Sequence, residues 1–513
     1  MTQVLLDALR RPDFYPHPVS SIQIIETHIS WVILTGPYAY KMKKPVNFGF
    51  LDFTTLEARR YFCEQELQLN QRMAPELYLA VLPVTGTEQN PVLDGVGAPI
   101  EYLVKMREFP QQQLLAQVQA RGALTAAHID ALAQQISHFH NSLAPVAAEH
   151  ELNRPQAIVA PMYQNFEQIR PLLQEAQDLQ QLEALSQWTE SSIQRLWPVL
   201  EQRCQQGMVR ACHGDLHLGN AVLLDDRVVL FDCIEFNEPF RIIDIASDAA
   251  FLVMDLEDRG LTVQANRFIN AWLEQTGDYA ALPVLNLYKA YRALVRAKVS
   301  LFCLYQEQDE AQRLAVLNQY RAYAQLAESY SRIPYPFLAI TCGISAVGKS
   351  SVALQLVEDL GAIRLRSDVE RKRVFGALTA EQLYSAQTTE QTYQHLHQLA
   401  TQILTAGFSV VLDATYLKLA QRQAAAEVAE GTGVPFVILD CHAPEALVAQ
   451  WLAERQAQGV DPSDATLDVI KAQQANREPI TAAELPYSLS IDTQHSNHFD
   501  ELIVSLRRRF PGL

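Results

Sequence analysis

Residues 343–350 combine the residue types that bind a chain of phosphates. They read Gly-Ile-Ser-Ala-Val-Gly-Lys-Ser and follow an apolar run at residues 337–342. Two glycines five residues apart let the backbone curl so that its N–H groups converge on an anion, Lys349 adds a positive charge, and the Ser350 hydroxyl can ligate a metal. Apolar residues then follow at helical spacing, so a helix N-terminus would also face the phosphates. The predicted members of this triphosphate cradle are Gly343, Ser345, Ala346, Val347, Gly348, Lys349, Ser350 and Ser351.

A second group of chemical residues follows the cradle, in the segment Arg-Ser-Asp-Val-Glu-Arg-Lys at residues 366–372. On a helix, Asp368, Arg371 and Lys372 share one face, because they lie three and four residues apart. This face would place a carboxylate that can orient a hydroxyl beside cations that can hold a phosphate. The sequence thus predicts an acceptor site next to the cradle.

Two later residues extend this set. Asp413 ends the apolar segment Val-Val-Leu at residues 410–412, the position of a Walker B-like carboxylate that binds magnesium directly or through water. Arg455 ends a predicted helix that begins near Pro444, just before the flexible segment Gln-Gly-Val-Asp-Pro at residues 458–462. An arginine at such a place is suited to a lid that closes on the transferred phosphate.

Earlier in the chain, residues 213–220 read His-Gly-Asp-Leu-His-Leu-Gly-Asn, and Asp232 ends an apolar strand. A kinase that acts on a hydroxyl needs a carboxylate to accept the proton, an amide oxygen to hold a metal, and a further carboxylate for the metal that bridges the phosphates. Asp215, Asn220 and Asp232 fill those roles. The Asp-x-x-x-x-Asn interval equals that of a protein-kinase catalytic loop.

Residues 213–220 resemble the Brenner-type motif of aminoglycoside phosphotransferases and of the related choline and homoserine kinases. The resemblance covers residues 20–330, where a sheet-like region precedes a helical region as the ATP-binding lobe precedes the helical lobe in those families. It implies that Asp215 is the catalytic base, that Asn220 and Asp232 bind magnesium, and that His213 supports the loop. Asp244 would be a structural or capping carboxylate.

The same resemblance implies a phosphate-binding lysine on an early strand. Lys41 and Lys43 lie in the segment Ala-Tyr-Lys-Met-Lys and point to the same face, so the sequence does not separate them. Lys41 is preferred because Ala-x-Lys resembles the end of the kinase Val-Ala-Ile-Lys strand. Its predicted partner on the first helix is Glu66, with Glu64 or Glu57 as alternatives.

The first domain departs from the kinase pattern at two points. No Gly-x-Gly-x-x-Gly precedes Lys41, where Gly36 stands alone, and Asp232-Cys-Ile replaces Asp-Phe-Gly. A pseudokinase or a domain that binds nucleotide without catalysis therefore stays open.

The cradle, Asp368-x-x-Arg371 and Asp413 together resemble the P-loop branch of small-molecule and polynucleotide 5′-hydroxyl kinases, which includes zeta toxins and gluconate kinases. This resemblance covers residues 337–510 and implies that Asp368 activates the acceptor hydroxyl and that Arg455 serves the lid. The whole chain thus resembles bacterial fusion proteins described as bifunctional aminoglycoside phosphotransferase and ATP-binding protein. The implied cofactors are ATP or GTP and Mg²⁺.

The elements that must position these residues divide at residues 332–336, Arg-Ile-Pro-Tyr-Pro. Before this point, alternation at residues 20–45 predicts an antiparallel meander, a threonine at 54 or 55 caps a helix, and strand signals return at 77–84 and 100–106 ahead of mostly helical sequence. After it, strands alternate with helices, which predicts a parallel sheet. The predicted fold is an α+β protein kinase-like domain at residues 1–332, followed by an α/β P-loop kinase domain at residues 333–513.

Composition narrows the range of partners. No apolar run of about 18 residues is present, and Asp7 and Arg10 interrupt the first apolar stretch, so we expect a cytoplasmic protein that does not enter a membrane. The seven cysteines include no Cys-x-x-Cys pair and are expected to be reduced. A net charge of −17 argues against broad affinity for nucleic acid.

These observations predict a magnesium-dependent phosphotransferase with two sites, each of which moves a γ-phosphoryl group to a hydroxyl of a small molecule or a protein. Neither the acceptors nor the oligomeric state follow from the sequence. Two alternatives stay open. The first is a nucleotide-gated regulatory module in which one domain is an ATPase or a pseudokinase, and the second is a nucleic-acid 5′-hydroxyl kinase.

Overall fold

The structure is a computed structural model, and it describes residues 3–49, 51–302, 309–332, 334–458, 466–495 and 497–510. The chain divides into two compact units, one formed by Met1–Glu167 with Trp197–Asp255 and the other by Gln168–Leu196 with Leu256–Leu513. Residues 332 and 333, between which the sequence predicts a domain boundary, both belong to the second unit. As a limit of independent folding, that boundary stays a prediction.

The elements as far as residue 258 are the following. The strands are β1 Gln23–Glu26, β2 Ser30–Leu34, β3 Tyr38–Lys43, β4 Tyr78–Gly86, β5 Pro91–Leu93, β6 Glu101–Arg107, β7 Val209–Ala211, β8 Ala221–Leu224, β9 Arg227–Leu230 and β10 Ile242–Asp244. The helices are α1 Gln3–Ala8, α2 Leu56–Asn70, α3 Leu115–Ala120, α4 Ala126–Ser142, α5 Pro155–Ile169, α6 Ala176–Gln205, α7 Glu238–Arg241 and α8 Ile245–Asp258.

The main sheet of the first unit is antiparallel, with the strand order β1-β2-β3-β6-β4-β5. The predicted hairpin between β2 and β3 is confirmed. Thr35 N donates a hydrogen bond to Tyr38 O at 3.0 Å across the turn. Gly36 occupies this turn with a φ of 102°, a conformation that a side chain disfavours.

Side chains alternate along β3, as the pleat of a strand requires. Tyr40 and Met42 pack into a buried cluster with residues of α1, whereas Ala39 packs into the cluster that contains residues of α2. Lys41 and Lys43 therefore point to the same side of the sheet as Ala39, toward α2.

Helix α2 begins at the predicted cap. Thr55 Oγ1 accepts a hydrogen bond from Ala58 N at 3.1 Å, which satisfies one of the N–H groups that the first turn leaves unpaired. Cys63 is fully buried in the cluster with Ala39. The packing of this face of α2 on the sheet brings the buried Glu66, one turn later, toward β3.

The loop at residues 213–220 leads into a hairpin made of β8 and β9. Asp225 and Asp226 form its two-residue turn, and their φ values of 50° and 61° match the left-handed conformation of a type I′ turn. Val229 packs into the same buried cluster as β3 and α2. Asp232 follows β9 and is thereby placed near the lysine face of the sheet.

The later elements all belong to the second unit. The strands are β11 Leu338–Cys342, β12 Ile363–Arg366, β13 Val410–Asp413, β14 Phe436–His442 and β15 Ser488–Asp492. The helices are α9 Thr262–Thr276, α10 Leu282–Phe302, α11 Glu310–Ser329, α12 Lys349–Leu360, α13 Ser367–Phe375, α14 Ala380–Leu383, α15 Ala386–Thr405, α16 Leu419–Thr432, α17 Glu445–Gln458, α18 Leu467–Asn476 and α19 Asn497–Arg509. Across the described ranges, no helix combines the length and the apolar character that a bilayer crossing requires.

The sheet of the second unit is parallel, with the strand order β12-β13-β11-β14-β15. Strand β11 is buried at every position, as the central strand of a sheet with covered faces must be. Leu356 of α12 and Leu506 of α19 share a buried cluster with Ala339, while α15 and α16 contact β13 and β11. The predicted fold class is therefore confirmed. The carboxyl ends of these strands form the edge where open α/β sheets bind ligands.

Helix α9 packs against α12 and β12 within the same unit. Asn266 Nδ2 donates to Glu358 O at 3.0 Å, and Arg267 Nη1 lies 2.6 Å from Glu358 Oε1. A helix that precedes the predicted boundary thus buttresses the helix that follows the cradle.

Candidate active sites

The first candidate site lies where β3, α2 and the segment after β9 meet. Lys41 Nζ lies 2.7 Å from Glu66 Oε1 and 2.7 Å from Asp232 Oδ1. Burial disfavours the ammonium, but the carboxylates of Asp232 and Glu66 outweigh burial and hold the pKa of Lys41 well above its ordinary value. The alternative partners Glu57 and Glu64 are exposed on α2. The structure thus joins three residues predicted from three separate stretches.

Lys43 has a different set of partners. Its Nζ lies 2.7 Å from Glu66 Oε2 and also contacts Glu235 Oε1. Burial raises the pKa of Glu66, but the two lysines outweigh it and lower that pKa to about 2. Burial also raises the pKa of Glu235, whose side chain is almost fully buried. Glu66 therefore bridges the two lysines that the sequence leaves unresolved, and it is Lys41 that contacts Asp232.

The loop at residues 213–220 brings Asp215 and Asn220 into direct contact. Asn220 Nδ2 donates to Asp215 O and to Asp215 Oδ2, both at 3.0 Å, and His217 Nε2 lies 3.4 Å from the same carboxylate oxygen. The Asp215 side chain is 34% exposed, so a substrate can reach it. Phe231 N donates to Asn220 O at 3.0 Å, which sets Asp232 beside the loop.

Asp232 has an unusual backbone conformation. Its φ of 64° lies in the left-handed region, which disfavours a residue with a side chain. Tyr78 Oη accepts from Asp232 N at 3.3 Å, and Asn70 Oδ1 accepts from Cys233 N at 2.8 Å. Such strain persists where surrounding contacts fix it, and it clusters at functional sites.

Asp248 fixes the start of the loop at residues 213–220 through hydrogen bonds, a role that the sequence reasoning missed. Its carboxylate accepts from His213 N at 3.0 Å and from Gly214 N at 2.9 Å, and His140 Nε2 lies 3.1 Å away. His213 Nε2 in turn lies 2.9 Å from Phe231 O, and burial lowers the pKa of His213. An aspartate in the otherwise apolar first half of helix α8 was the available sequence signal.

Asp244 caps α8 as the sequence predicts. Its Oδ1 accepts a hydrogen bond from Ala246 N at 2.9 Å, and Arg203 Nε lies 2.6 Å from its Oδ2. Both charged side chains are almost fully buried, so Asp244 serves the fold of the helix start.

The second candidate site is the cradle between β11 and α12. Gly343 and Gly348 have φ values of 146° and 85°, and Ala346 has a φ of 64°. A Cβ on Gly343 would lie 2.6 Å from Cys441 O, so this position requires glycine. Lys349 Nζ donates to Ile344 O at 2.7 Å across the loop.

A cavity of about 990 Å³ lies over this cradle. Gly343 and Val347 do not line it, because Gly343 sits against Cys441 and Val347 packs its side chain into the core. Thr493 Oγ1 donates to Val347 O at 2.7 Å, so Val347 takes part in the loop through its backbone. The predicted residues that line the cavity are Ser345, Ala346, Gly348, Lys349, Ser350, Ser351, Asp368, Arg371 and Asp413.

Asp413 ends β13 and is 6% exposed. Its Oδ2 has no hydrogen-bond partner among the described residues, and Arg366 Nε lies 3.8 Å from that atom. Burial lowers the pKa of Lys349, and the nearby carboxylates of Asp413 and Asp368 oppose that shift. This buried carboxylate oxygen and the Ser350 hydroxyl, which line the same cavity, are a donor set that fits Mg²⁺.

Arg371 is a buried cation with spare hydrogen-bonding capacity. It is 6% exposed, its Nη1 donates to Leu383 O at 3.0 Å and to Thr389 Oγ1 at 3.1 Å, and its guanidinium lies 5.1 Å from the centre of the Tyr384 ring. Its Nε has no hydrogen-bond partner in the described part of the chain. Lys372, predicted on the same face, does not line the cavity.

Several residues that shape this cavity escaped the sequence reasoning. Arg366, Lys418 and Trp451 line it, and Gln473 Oε1 accepts from Ser345 N at 2.7 Å. They come from separate elements, and no local motif joins them to the cradle. The side chain of Arg455 lies outside the described residues, so the predicted lid role stays a prediction.

Each of the two predicted regions matches one family model. Residues 62–285 match the family described as the phosphotransferase enzyme family, and residues 338–480 match the family described as the AAA domain. These family matches support kinase-type phosphotransferase families for both regions. Kinases with these folds generally use ATP and Mg²⁺.

Similar proteins include one that matches along most of the chain and solved structures that match parts of it. An uncharacterized protein of Mycobacterium tuberculosis is 29% identical over 472 residues, which covers 90% of this chain and 92% of that protein. A choline/ethanolamine kinase family protein of Mesorhizobium loti is 13% identical, with 64% of this chain and 99% of that chain covered and a TM-score of 0.39. A gluconokinase of Sinorhizobium meliloti is 18% identical, with 35% and 95% covered and a TM-score of 0.27.

Proposed function

We propose that this chain is an ATP- and Mg²⁺-dependent phosphotransferase with two kinase-type sites, each of which transfers a γ-phosphoryl group to a hydroxyl of a small molecule or a protein. The observation that carries the proposal is the cavity of the second unit, which collects Lys349, Asp368, Arg371 and Asp413 around one space. The six cysteines among the described residues are buried and free, which supports action in a reducing compartment such as the cytoplasm.

In the second site, the cradle residues bind the triphosphate and the acceptor residues orient a hydroxyl. Bound Mg²⁺ would neutralise charge between the β- and γ-phosphates, and Ser350 and Asp413 would hold it. Lys349 Nζ, which donates to Ile344 O, can turn to the γ-phosphate. Asp368 accepts the proton as the acceptor oxygen bonds to the γ-phosphorus and the bond to the bridging oxygen breaks. Catalysis is then positioning and charge neutralisation.

In the first site, the corresponding roles fall to residues of both lobes. Lys41, aligned by Glu66, binds the phosphates, and Asp215 accepts the proton of the acceptor hydroxyl. Asn220 and Asp232 would hold Mg²⁺, since both offer oxygen ligands next to the loop. Asp232 is 42% exposed and touches Lys41, so the pair is accessible to an incoming nucleotide.

The acceptor of the second site is expected to carry an anionic group. Arg371 is a buried guanidinium whose Nε has no hydrogen-bond partner among the described residues, and an anion would complete its hydrogen bonding. This observation also favours a second candidate function, transfer to the 5′-hydroxyl of a nucleic acid, whose phosphates could meet the same arginine. The net charge of −17 opposes it.

Product identification tests the proposal. Wild type, Asp215→Asn and Lys349→Ala are each incubated with labelled ATP, Mg²⁺ and either a metabolite extract or 5′-hydroxyl oligonucleotides at low salt. Each variant should lose its own set of phosphorylated products. Asp226→Asn in the hairpin turn and Lys471→Ala on an exposed helix face serve as matched controls.

Three outcomes decide between the candidates. Labelled oligonucleotides would establish the nucleic-acid kinase in place of a metabolite kinase. Loss of ATP without any labelled product would replace the transferase with a nucleotide-gated regulatory module. Identical product profiles in wild type and both variants would contradict both site assignments.

A further inference from the structure

A carboxylate on α9 lies against the two arginines of β12. Glu274 Oε2 lies 3.2 Å from Arg364 Nη2, and Glu274 Oε1 lies 3.4 Å from Arg366 Nη1. The three side chains are between 13% and 17% exposed. Salt and water therefore screen this ion cluster less than an ordinary surface ion pair.

Both arginines also reach residues of the cradle site. Arg364 Nη1 donates to Ser350 O at 3.4 Å, and Arg366 Nε lies 3.8 Å from Asp413 Oδ2. Ser350 and Asp413 are the two residues assigned to Mg²⁺ in the second site. Arg366 thus stands between a carboxylate on α9 and a carboxylate inside the site.

The position of Glu274 is fixed by the packing of its helix. Arg373 Nη2 donates to Glu274 O, and Arg267 Nη1 forms the ion pair with Glu358 on α12 at 2.6 Å. Because α9 and α12 are anchored to each other, Glu274 cannot follow Arg366 without breaking these contacts. Glu274 therefore keeps a fixed position as a negative charge beside the arginines of β12.

We propose that Glu274 is a positioning residue of the second site, which holds Arg366 back from Asp413 and so keeps the Asp413 carboxylate available to Mg²⁺. The proposal rests on the proposed function, which assigns the metal to Ser350 and Asp413. Without the charge of Glu274, Arg366 turns to Asp413 and occupies the oxygen that the metal requires. Glu274 lies within residues 62–285, which match the phosphotransferase enzyme family, yet it serves the site of the following region.

The test measures how much Mg²⁺ the full chain needs to bind a fluorescent ATP analogue. All variants are made in an Asp232→Asn background, which removes the metal-binding carboxylate of the first site. Glu274→Gln is expected to raise the half-saturating Mg²⁺ concentration about five- to tenfold. Glu430→Gln, the same substitution at an exposed carboxylate on α16, is the matched control and should change it less than twofold.

The double variant separates positioning from general damage. If Glu274 acts through Arg366, the Mg²⁺ requirement of Glu274→Gln with Arg366→Gln should return to within twofold of Arg366→Gln alone. A merely structural role would leave the double variant at least as impaired as Glu274→Gln. Should Glu274→Gln fail to fold, Arg366→Gln alone decides, because it is expected at or below the parent requirement and an increase would overturn the proposal.

The two ideas fail in different ways. If the parent protein binds the analogue without regard to Mg²⁺, or if Lys349→Ala leaves that binding intact, the proposed function of the second site is wrong. If the parent shows Mg²⁺-dependent binding that Lys349→Ala abolishes but Glu274→Gln leaves the Mg²⁺ requirement unchanged, the positioning role is wrong while the site assignment stands.

Discussion

Replacing Lys41 or Lys43 by methionine should separate a nucleotide-binding role from a structural one. The two lysines lie on one face of β3 and share Glu66, but Lys41 continues to Asp232 and Lys43 to Glu235. Methionine keeps most of the side-chain volume while it removes the charge. Lys41→Met therefore removes the cation that contacts Asp232, whereas Lys43→Met removes the cation that contacts Glu235.

Lys43→Met should cost the larger amount of stability. Lys43 is fully buried and Glu235 nearly so, and breaking a buried ion pair by removal of one partner costs about 3–5 kcal/mol. Burial raises the pKa of Glu235 above 4.5, so the folded state binds this proton more tightly than the unfolded chain. Protonation removes the unpaired charge, and the deficit should shrink as the pH is lowered from 8 toward 5.

Compared with Lys43→Met, Lys41→Met should lower the free energy of unfolding less and should weaken nucleotide binding more. Asp232 is 42% exposed and can be solvated, while Glu66 keeps Lys43, so we expect a loss of about 1–2 kcal/mol. The phosphates lose a hydrogen bond to a charged group, worth about 2 kcal/mol or roughly thirtyfold in Kd.

Two measurements in a Lys349→Ala background, which silences the second site, check this pair of predictions. Hydrogen exchange of peptides from β3 and α2 gives the free energy of opening for this part of the chain, and a titration with MgATP gives the affinity. If Lys43→Met loses the nucleotide while Lys41→Met loses the stability, the lysine assignment is reversed. Equal effects of both variants on both measurements would refute the separation of roles.

Three further predictions concern the second unit. Gly343→Ala should abolish MgATP binding by that site, since a Cβ would meet Cys441 O at 2.6 Å, whereas Gly431→Ala, where nothing lies within 4 Å, should leave binding unchanged in the same titration. Burial lowers the pKa of His397 from its ordinary 6.5 to about 4. As the pH falls from 6.5 to 4, the unfolded chain therefore binds the proton before the folded chain does, and up to about 3 kcal/mol of stability should be lost. Denaturant titrations should show that the stability of His397→Gln depends less on pH over this range. Arg371→Met should remove the labelled products of the second site but should not lower the melting temperature of the protein by more than a few degrees, because Arg371 is buried, no ion pair to it is found among the described residues, and such a cation contributes little stability. A large drop would assign Arg371 to the fold.

Local patterns predicted the elements and the motifs, because the information for a strand, a cap or a tight turn lies within a few residues. Strand β13 and Asp413 at its end follow from a short apolar run, and the cap at Thr55 follows from its residue type. The choice between Lys41 and Lys43 could not be made in this way. It depends on which carboxylate each lysine contacts. Lys41 contacts Asp232, 191 residues further along the chain, and Lys43 contacts Glu235, 192 residues further along. The local sequence of β3 does not indicate which lysine contacts which carboxylate.

The same limit applies to the second site, because residues that contact its elements come from before the predicted domain boundary. Two prolines at residues 334 and 336 mark a change of local texture, but packing groups Leu256–Leu513 with Gln168–Leu196 in one compact unit. Tyr279 Oη lies 3.1 Å from Glu370 Oε1, and Glu370 is 1% exposed on α13, the helix that also carries Asp368. The helix that carries Asp368 is thus anchored, through Glu370, by a residue from the region that matches a different family. Glu274, from the same region, contacts Arg364 and Arg366, which reach Ser350 and Asp413. Contacts near both the predicted acceptor residue and the proposed metal ligands therefore come from outside the motifs of the second region.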